Sequence, residues 1–208
     1  MARTVGSSAP ETRRRILDSA AELFAEHGYS GARMLDIAER LGISKSALYY
    51  HFASKEDLLD GLVHPVLEAT EQFARAAESG GTPPEQIVRG YLDHMIVGLP
   101  ALHPLMIDPA AREAIKARFS VQDLMRRIEN ALTAAIGGGP DSRVRAQFAL
   151  GGLRAVPLTR LFAGGRSRCA PAGEAVKKGP DDEPLLTGAE REALVQAALA
   201  ALGPAGAA

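Results

Sequence analysis

Apolar residues recur at helical spacing along most of the chain, and no stretch alternates apolar and polar every second position as a half-buried strand does. Ile16, Leu17, Ala20, Leu23, Phe24 and His27 stripe a first helix over 12–27, with Thr12 as its cap and Gly28 closing it. Met34, Ile37, Ala38 and Leu41 then share one face of a short helix. Gly42, free to take a left-handed backbone, ends it. Ile43 turns inward from the corner, and Ser44 is a good N-cap for the next helix. Ala47, Leu48 and Phe52 give that helix an apolar side and leave Lys45, Ser46, Tyr49, Tyr50 and His51 to point elsewhere. Two short helices meeting at a tight glycine corner, the second rich in donors and free of acids, form a helix-turn-helix pattern.

The pattern continues in helical units. Ser54, Lys55, Glu56 and Asp57 make a capping-box-like start for a fourth helix reaching about 79. Pro65 lies inside it, and an internal proline costs about 3 kcal/mol unless the helix bends. After Gly80-Gly81, Thr82 caps a fifth helix striped by Ile87, Val88, Tyr91, Leu92, Met95, Ile96 and Leu99, which Pro100 ends. A broken apolar segment over 101–108 follows, then a helix opened by Asp108-Pro109 and another opened by Ser120 with Asp123. An eighth helix is expected over 141–162, with Gly151-Gly152 permitting close approach of another backbone and Pro157 kinking it. Residues 164–186 read as a long loop, and Thr187 with Glu190 caps a last helix to 202. The expectation is an all-α fold of about nine helices. It comprises a flexible arm (1–9), a three-helix helix-turn-helix domain (10–56) and a larger helical domain (57–203).

The runs Asp36-Ile37-Ala38, Leu41-Gly42-Ile43-Ser44-Lys45, Leu48-Tyr49-Tyr50-His51-Phe52 and Ser54-Lys55-Glu56-Asp57-Leu58-Leu59 resemble the DNA-binding domain of the tetracycline-repressor (TetR) family. Ile16-Leu17, Ala20-Ala21, Leu23-Phe24 and Gly28-Tyr29 match that family's first helix and the turn after it. The resemblance covers roughly residues 10 to 65. It implies an all-helical homodimeric regulator, usually a repressor released by a small ligand, whose last two helices form the subunit interface. For this chain those are the segments near 141–162 and 187–202. One departure stands out: Gly31-Ala32-Arg33-Met34 offers no hydroxyl where the family commonly has Thr or Ser. Arg33 would then supply a phosphate contact by charge.

The resemblance also places DNA contacts at Ser44, Lys45, Ser46, Ala47, Tyr49, Tyr50, His51 and Lys55, and side-chain chemistry agrees. A hydroxyl and a helix N-terminus suit a phosphate, Lys45 suits guanine acceptors or phosphate, and Ala47 offers a methyl to thymine. Tyr49 is open to two readings, core ring or DNA contact. The Arg13-Arg14-Arg15 run sits at the wrong helix end for the macrodipole. That run, and the arm before it, either reach phosphates or are solvated.

Composition narrows the class. The 208 residues are 46% hydrophobic and 24% charged, with net charge −1. Residues 1–65 hold eight Lys or Arg against nine Asp or Glu, so any DNA affinity depends on local placement of charge. The single cysteine, Cys169, precludes an internal disulfide or a cysteine metal cluster. No Gly-rich phosphate loop, paired-Cys site or nucleophile elbow is present, which argues against an enzyme. No membrane-length apolar run and no signal core are seen, so a cytoplasmic protein is expected. No cofactor is expected. His94 and His103 lack ligand-like spacing with acids, so no metal is expected either. Tyr91, Met95, Leu99, Met106, Phe119, Met125 and Phe148 are either core or the lining of an apolar effector pocket. The alternative function is a constitutive DNA-binding regulator or activator without a small-molecule ligand.

Overall fold

The computed structural model describes residues 8–163 and 184–203. Within them the chain forms nine helices and no strand. These are α1 (Ala9–Gly31), α2 (Met34–Leu41), α3 (Lys45–His51), α4 (Lys55–Glu78), α5 (Pro84–Ile107), α6 (Pro109–Arg118), α7 (Val121–Ala135), α8 (Pro140–Ala163) and α9 (Gly188–Leu202). Most of the expected arm and of the 164–186 loop, together with Cys169, lies outside the described residues.

Local signals set most helix ends. Ser54 Oγ accepts the Asp57 amide at 3.1 Å and starts α4. Thr187 and Glu190 form a full capping box at α9, with Thr187 N donating to Glu190 Oε2 at 2.8 Å and Glu190 N to Thr187 Oγ1 at 3.3 Å. Two expected caps are corrected. Thr12 does not start α1; Ser8 does, accepting the Glu11 amide, because Pro10 and Glu11 suit a first turn one step earlier. Thr82 does not cap α5; it donates to Ala76 O at 3.1 Å and secures the end of α4, while Pro83 holds the cap position.

A third correction concerns Pro100. Instead of ending α5, it lies inside a helix that continues to Ile107. Stopping there would leave Leu102 and Leu105 unplaced, whereas continuing the helix packs both against a core, with Leu105 almost fully buried. Burial of two such side chains offsets the lost hydrogen bond.

Two cores result. The first joins α1, α2, α3 and the start of α4 to the end of α5 and to α6, through Ile16, Phe24, Ile37, Leu48, Leu59, Leu105 and Ile115. The second joins the end of α4 to α5, α7, α8 and α9, through Ala74, Ile87, Leu92, Ile128, Leu132, Leu153 and Val195. The long helices α4 and α5 therefore span both cores, running in opposite directions. Their close approach depends on α5 glycines: a Cβ at Gly90 would lie 2.5 Å from the Phe73 ring, and one at Gly98 would lie 2.9 Å from Val66 Cγ1. Arg127 of α7 grips α4 through Glu71 and Glu78, at 2.7 and 2.6 Å. No helix among the described residues is long and apolar enough to cross a membrane.

Candidate nucleic-acid interface

The α2–α3 corner is built by backbone geometry. Gly42 takes φ 64°, and the Ile43 amide returns to Ala38 O at 3.0 Å to close α2. Ile37 and Ala38 are buried, while Met34 and Leu41 pack at the edge of the same core. At the start of α2 no side chain takes the part of the missing hydroxyl; Asp36 Oδ2 accepts the Arg33 amide at 3.1 Å, the Asp36 amide turns back to Arg33 O at 3.2 Å, and the Arg33 side chain is exposed.

Ser44 caps α3, its Oγ accepting the Ala47 amide at 3.1 Å and lying 3.0 Å from Ser46 Oγ. Of the α3 residues only Leu48 is fully buried, with Phe52 buried just beyond. Lys45, Ser46, Tyr49 and Tyr50 are exposed, Tyr50 at 83%, whereas Ala47 and His51 are half-buried. Tyr49 is thus a surface residue, with Lys45 Nζ 5.7 Å from its ring centre. Tyr50 and His51 meet edge to face at 5.2 Å. The outward face of α3 carries hydroxyls, an ammonium and an imidazole, and no carboxylate.

Lys55, expected to meet phosphate, and Arg13, of the run left open between phosphate and solvent, are both engaged elsewhere. Lys55 Nζ donates to Tyr29 O at 2.8 Å and Ala32 O at 3.2 Å, with Ser30 O at 3.5 Å, and sits 4.6 Å over the Tyr29 ring. It neutralises the carbonyl end of α1, whose last turn has no basic residue of its own. Beneath it the Tyr29 hydroxyl donates to Glu56 Oε1 at 3.3 Å. Burial, then the Glu56 charge, pushes that hydroxyl up to about 12. Arg13 donates to His51 O at 3.3 Å and stacks on Phe52 at 4.1 Å.

A polar link missed in the sequence is Asp108. Its Oδ1 caps α6 by accepting Ala110 N at 2.8 Å and Ala111 N at 3.1 Å. Its Oδ2 accepts Ser30 N at 3.3 Å, at the point where α1 breaks with Gly28 at φ 71°. The far end of α6 is tied to α4 by Arg118 and Asp60 at 2.7 Å. The Asp-Pro cap was visible in the sequence, but its second partner, distant along the chain, was not.

The residues expected around an effector divide among four places. Tyr91, Met95, Leu99 and Met125 pack in the second core, Tyr91 Oη lying 4.0 Å from Met125 Sδ. Met106 is part-exposed near the end of α5. Phe119 packs at the edge of the first core and lines a cleft of about 350 Å³ with His64, Leu67 and Leu124. Phe148 is corrected: it is 74% exposed on α8 and is not buried in either core of the described residues. A second apolar cleft, about 290 Å³, lies between α4 and α5, walled by Pro65, Val66, Ala69, His94, Val97 and Gly98. His94 is held there by carbonyls, Nδ1 lying 2.8 Å from Gly90 O and Nε2 3.1 Å from Ala69 O. His103 is buried, and burial lowers its imidazole below its ordinary range. Among the described residues no group of three or more His, Cys, Asp or Glu is arranged to hold a metal.

Head and body together define a helix-turn-helix protein carried on a larger helical bundle. The family described as "Bacterial regulatory proteins, tetR family" matches residues 16–62. The HTH-type transcriptional regulator TtgR of Pseudomonas putida is 35% identical over 79 residues, 38% of this chain and 38% of its own length, so the match spans well under half of that relative. The HTH-type transcriptional repressor AcnR of Corynebacterium efficiens is 32% identical over 144 residues, 66% of this chain and 73% of its own. A transcriptional regulator of known structure from Aquifex aeolicus aligns with TM-score 0.59 and 25% identity, over 89% of this chain and 96% of that one. This chain belongs to the tetR family of bacterial regulatory proteins.

Proposed function

We propose that the protein is a cytoplasmic, homodimeric transcriptional repressor that binds a pseudo-palindromic DNA operator and is released by a small, largely apolar effector. One observation carries this reading: α3 presents Lys45, Ser46, Tyr49 and Tyr50 outward, without a carboxylate, from a Ser44-capped and core-anchored corner. Ser44, Lys45, Tyr49, Tyr50, His51 and the exposed Arg33 are the proposed phosphate and base contacts, with Ala47 offering its methyl at the edge. Lys55 leaves this set because its ammonium is occupied by α1.

The second copy docks through α8. Val144 (64% exposed) and Phe148 project outward, and a Cβ on Gly151 or Gly152 would meet nothing within 4 Å among the described residues. Most of the α9 apolar face, through Val195, Ala198 and Leu202, is already buried inside the subunit. Two recognition helices would then sit about 34 Å apart, one turn of duplex. The clefts beside α4 are the candidate effector sites. The AcnR relative, named as a repressor, supports the sign of regulation.

Selection of duplexes from a random-sequence library by the full chain, followed by gel shifts, tests the reading. A palindromic consensus and salt-sensitive retardation are expected; the absence of any enriched duplex would reject it. A second reading, a regulator without a ligand, draws on the close packing of Tyr91, Met95 and Met125 in the core. A small-molecule screen for release of the selected duplex separates the two.

A further inference from the structure

We propose that Arg13 is a positioning residue for the recognition helix, holding the C-terminal end of α3 without touching DNA. The proposal rests on the DNA-binding reading above. With only seven residues and one fully buried side chain, α3 cannot fix its own orientation. Its start is set by Ser44. Its end carries the partial negative charge of unpaired carbonyls.

Arg13 meets that end from α1. Its Nη1 donates to His51 O at 3.3 Å, and its guanidinium lies 4.1 Å from the centre of the Phe52 ring. One planar group thus bonds the last residue of α3 and stacks on the aromatic that anchors it. The ring also lies close to α4: a Cβ on Gly61 would stand 3.3 Å from Phe52 Cε1 and 2.8 Å from Leu17 Cδ2. Phe52, 2% exposed, therefore meets both α4 and an α1 guanidinium. The groove around this contact is lined by Asp57, Asp60 and His64, and Asp60 is committed to Arg118. With α1 starting at Ala9, Arg13 stands in its second turn, where the dipole of α1 itself has little hold on a charge. The helix that benefits is α3.

The test uses the full chain and a duplex that the wild-type protein selects from a random library, with affinity measured against salt. Arg13→Ala is expected to weaken binding about fivefold to tenfold at every salt concentration. The slope of log K against log salt should be unchanged. Arg13→Lys should weaken binding to a similar degree, because an ammonium keeps the charge but neither stacks nor forks. A fall in slope of about 0.9 for Arg13→Ala, with recovery by Arg13→Lys, would make Arg13 a phosphate contact and overturn the proposal. Unchanged affinity in Arg13→Ala would also overturn it.

Amide exchange gives a readout independent of DNA. Loss of the clamp should speed exchange at Phe52, whose amide closes α3 onto Leu48 O at 3.0 Å, while amides in the middle of α1 stay protected. Equal exchange in wild type and Arg13→Ala would refute the clamp. A wild-type protein that selects no duplex would defeat the DNA-binding reading and leave exchange to decide the role of Arg13.

Discussion

Asp108 and Ser30 are joined by a hydrogen bond of 3.3 Å, the carboxylate at the start of α6 accepting an amide at the broken end of α1. A Cβ on Gly28 would stand 2.9 Å from the same Oδ2, so the break and the carboxylate fit one another. Burial alone would raise the Asp108 pKa, but backbone donors from Ala111, Ser30, Ala110 and Tyr29 outweigh it and hold the carboxyl below its ordinary 3.8. A depressed carboxylate stabilises the fold at pH above the unfolded value and loses that contribution as pH falls through the folded one. Asp108→Ala should cost about 1 kcal/mol for the α6 cap alone. Asp108→Asn, which can still cap, should cost less. The gap between wild type and Asp108→Asn in urea melts should close below the ordinary carboxylate range.

Lys55 offers a sharper choice between stability and DNA contact. Its ammonium satisfies carbonyls at the end of α1, so Lys55→Met should destabilise the chain by about 1.5–3 kcal/mol, the range for hydrogen bonds to a charged group. The salt slope of DNA binding should not change. Thermal melts and salt-dependent gel shifts on the same variant decide this, and a slope reduced by about one unit would return Lys55 to the phosphate set.

Arg127 holds the second half of α4 through Glu71 and Glu78. Hydrogen bonding to Arg127 is the main cause that keeps both glutamates below their ordinary 4.5. The clamp therefore acts at neutral pH and fails as pH falls through those lowered values. Arg127→Met should lower the Tm at pH 7, less so at high salt, because the pairs lie near solvent. Equal melting of wild type and variant at low salt would show the network to be idle.

Phe148 is predicted to be an interface anchor. Its exposed ring lies one turn from the exposed Val144 on α8. Phe148→Asp should weaken self-association at least about 30-fold, the effect expected for removing an aromatic hot spot, while leaving the monomer folded. Sedimentation velocity across a concentration series reads the change, and an unaltered dimer would place the interface elsewhere.

The helix-turn-helix corner was legible because its signals are local. Gly42 and Ser44 act through neighbours within four residues, and the apolar spacing of α3 marks Leu48 as its inward position. The errors share a different cause. Thr12 and Thr82 both have the chemistry of caps, but Ser8-Ala9-Pro10-Glu11 made the better first turn for α1, and Thr82 found Ala76 O. Pro100 reads as a stop until Leu102 and Leu105 have a core to enter.

Sequence by itself determined the helical period, the corner and the polar outward face of α3, because each depends on backbone preferences and spacing within a turn or two. Tertiary structure decided where the charges and the large apolar side chains went. Arg13, Lys55 and Asp108 were taken up by helix ends from distant parts of the chain, and Phe148 was left outside. A side chain's spacing along a helix names the face it occupies, but only packing supplies the partner that the face meets.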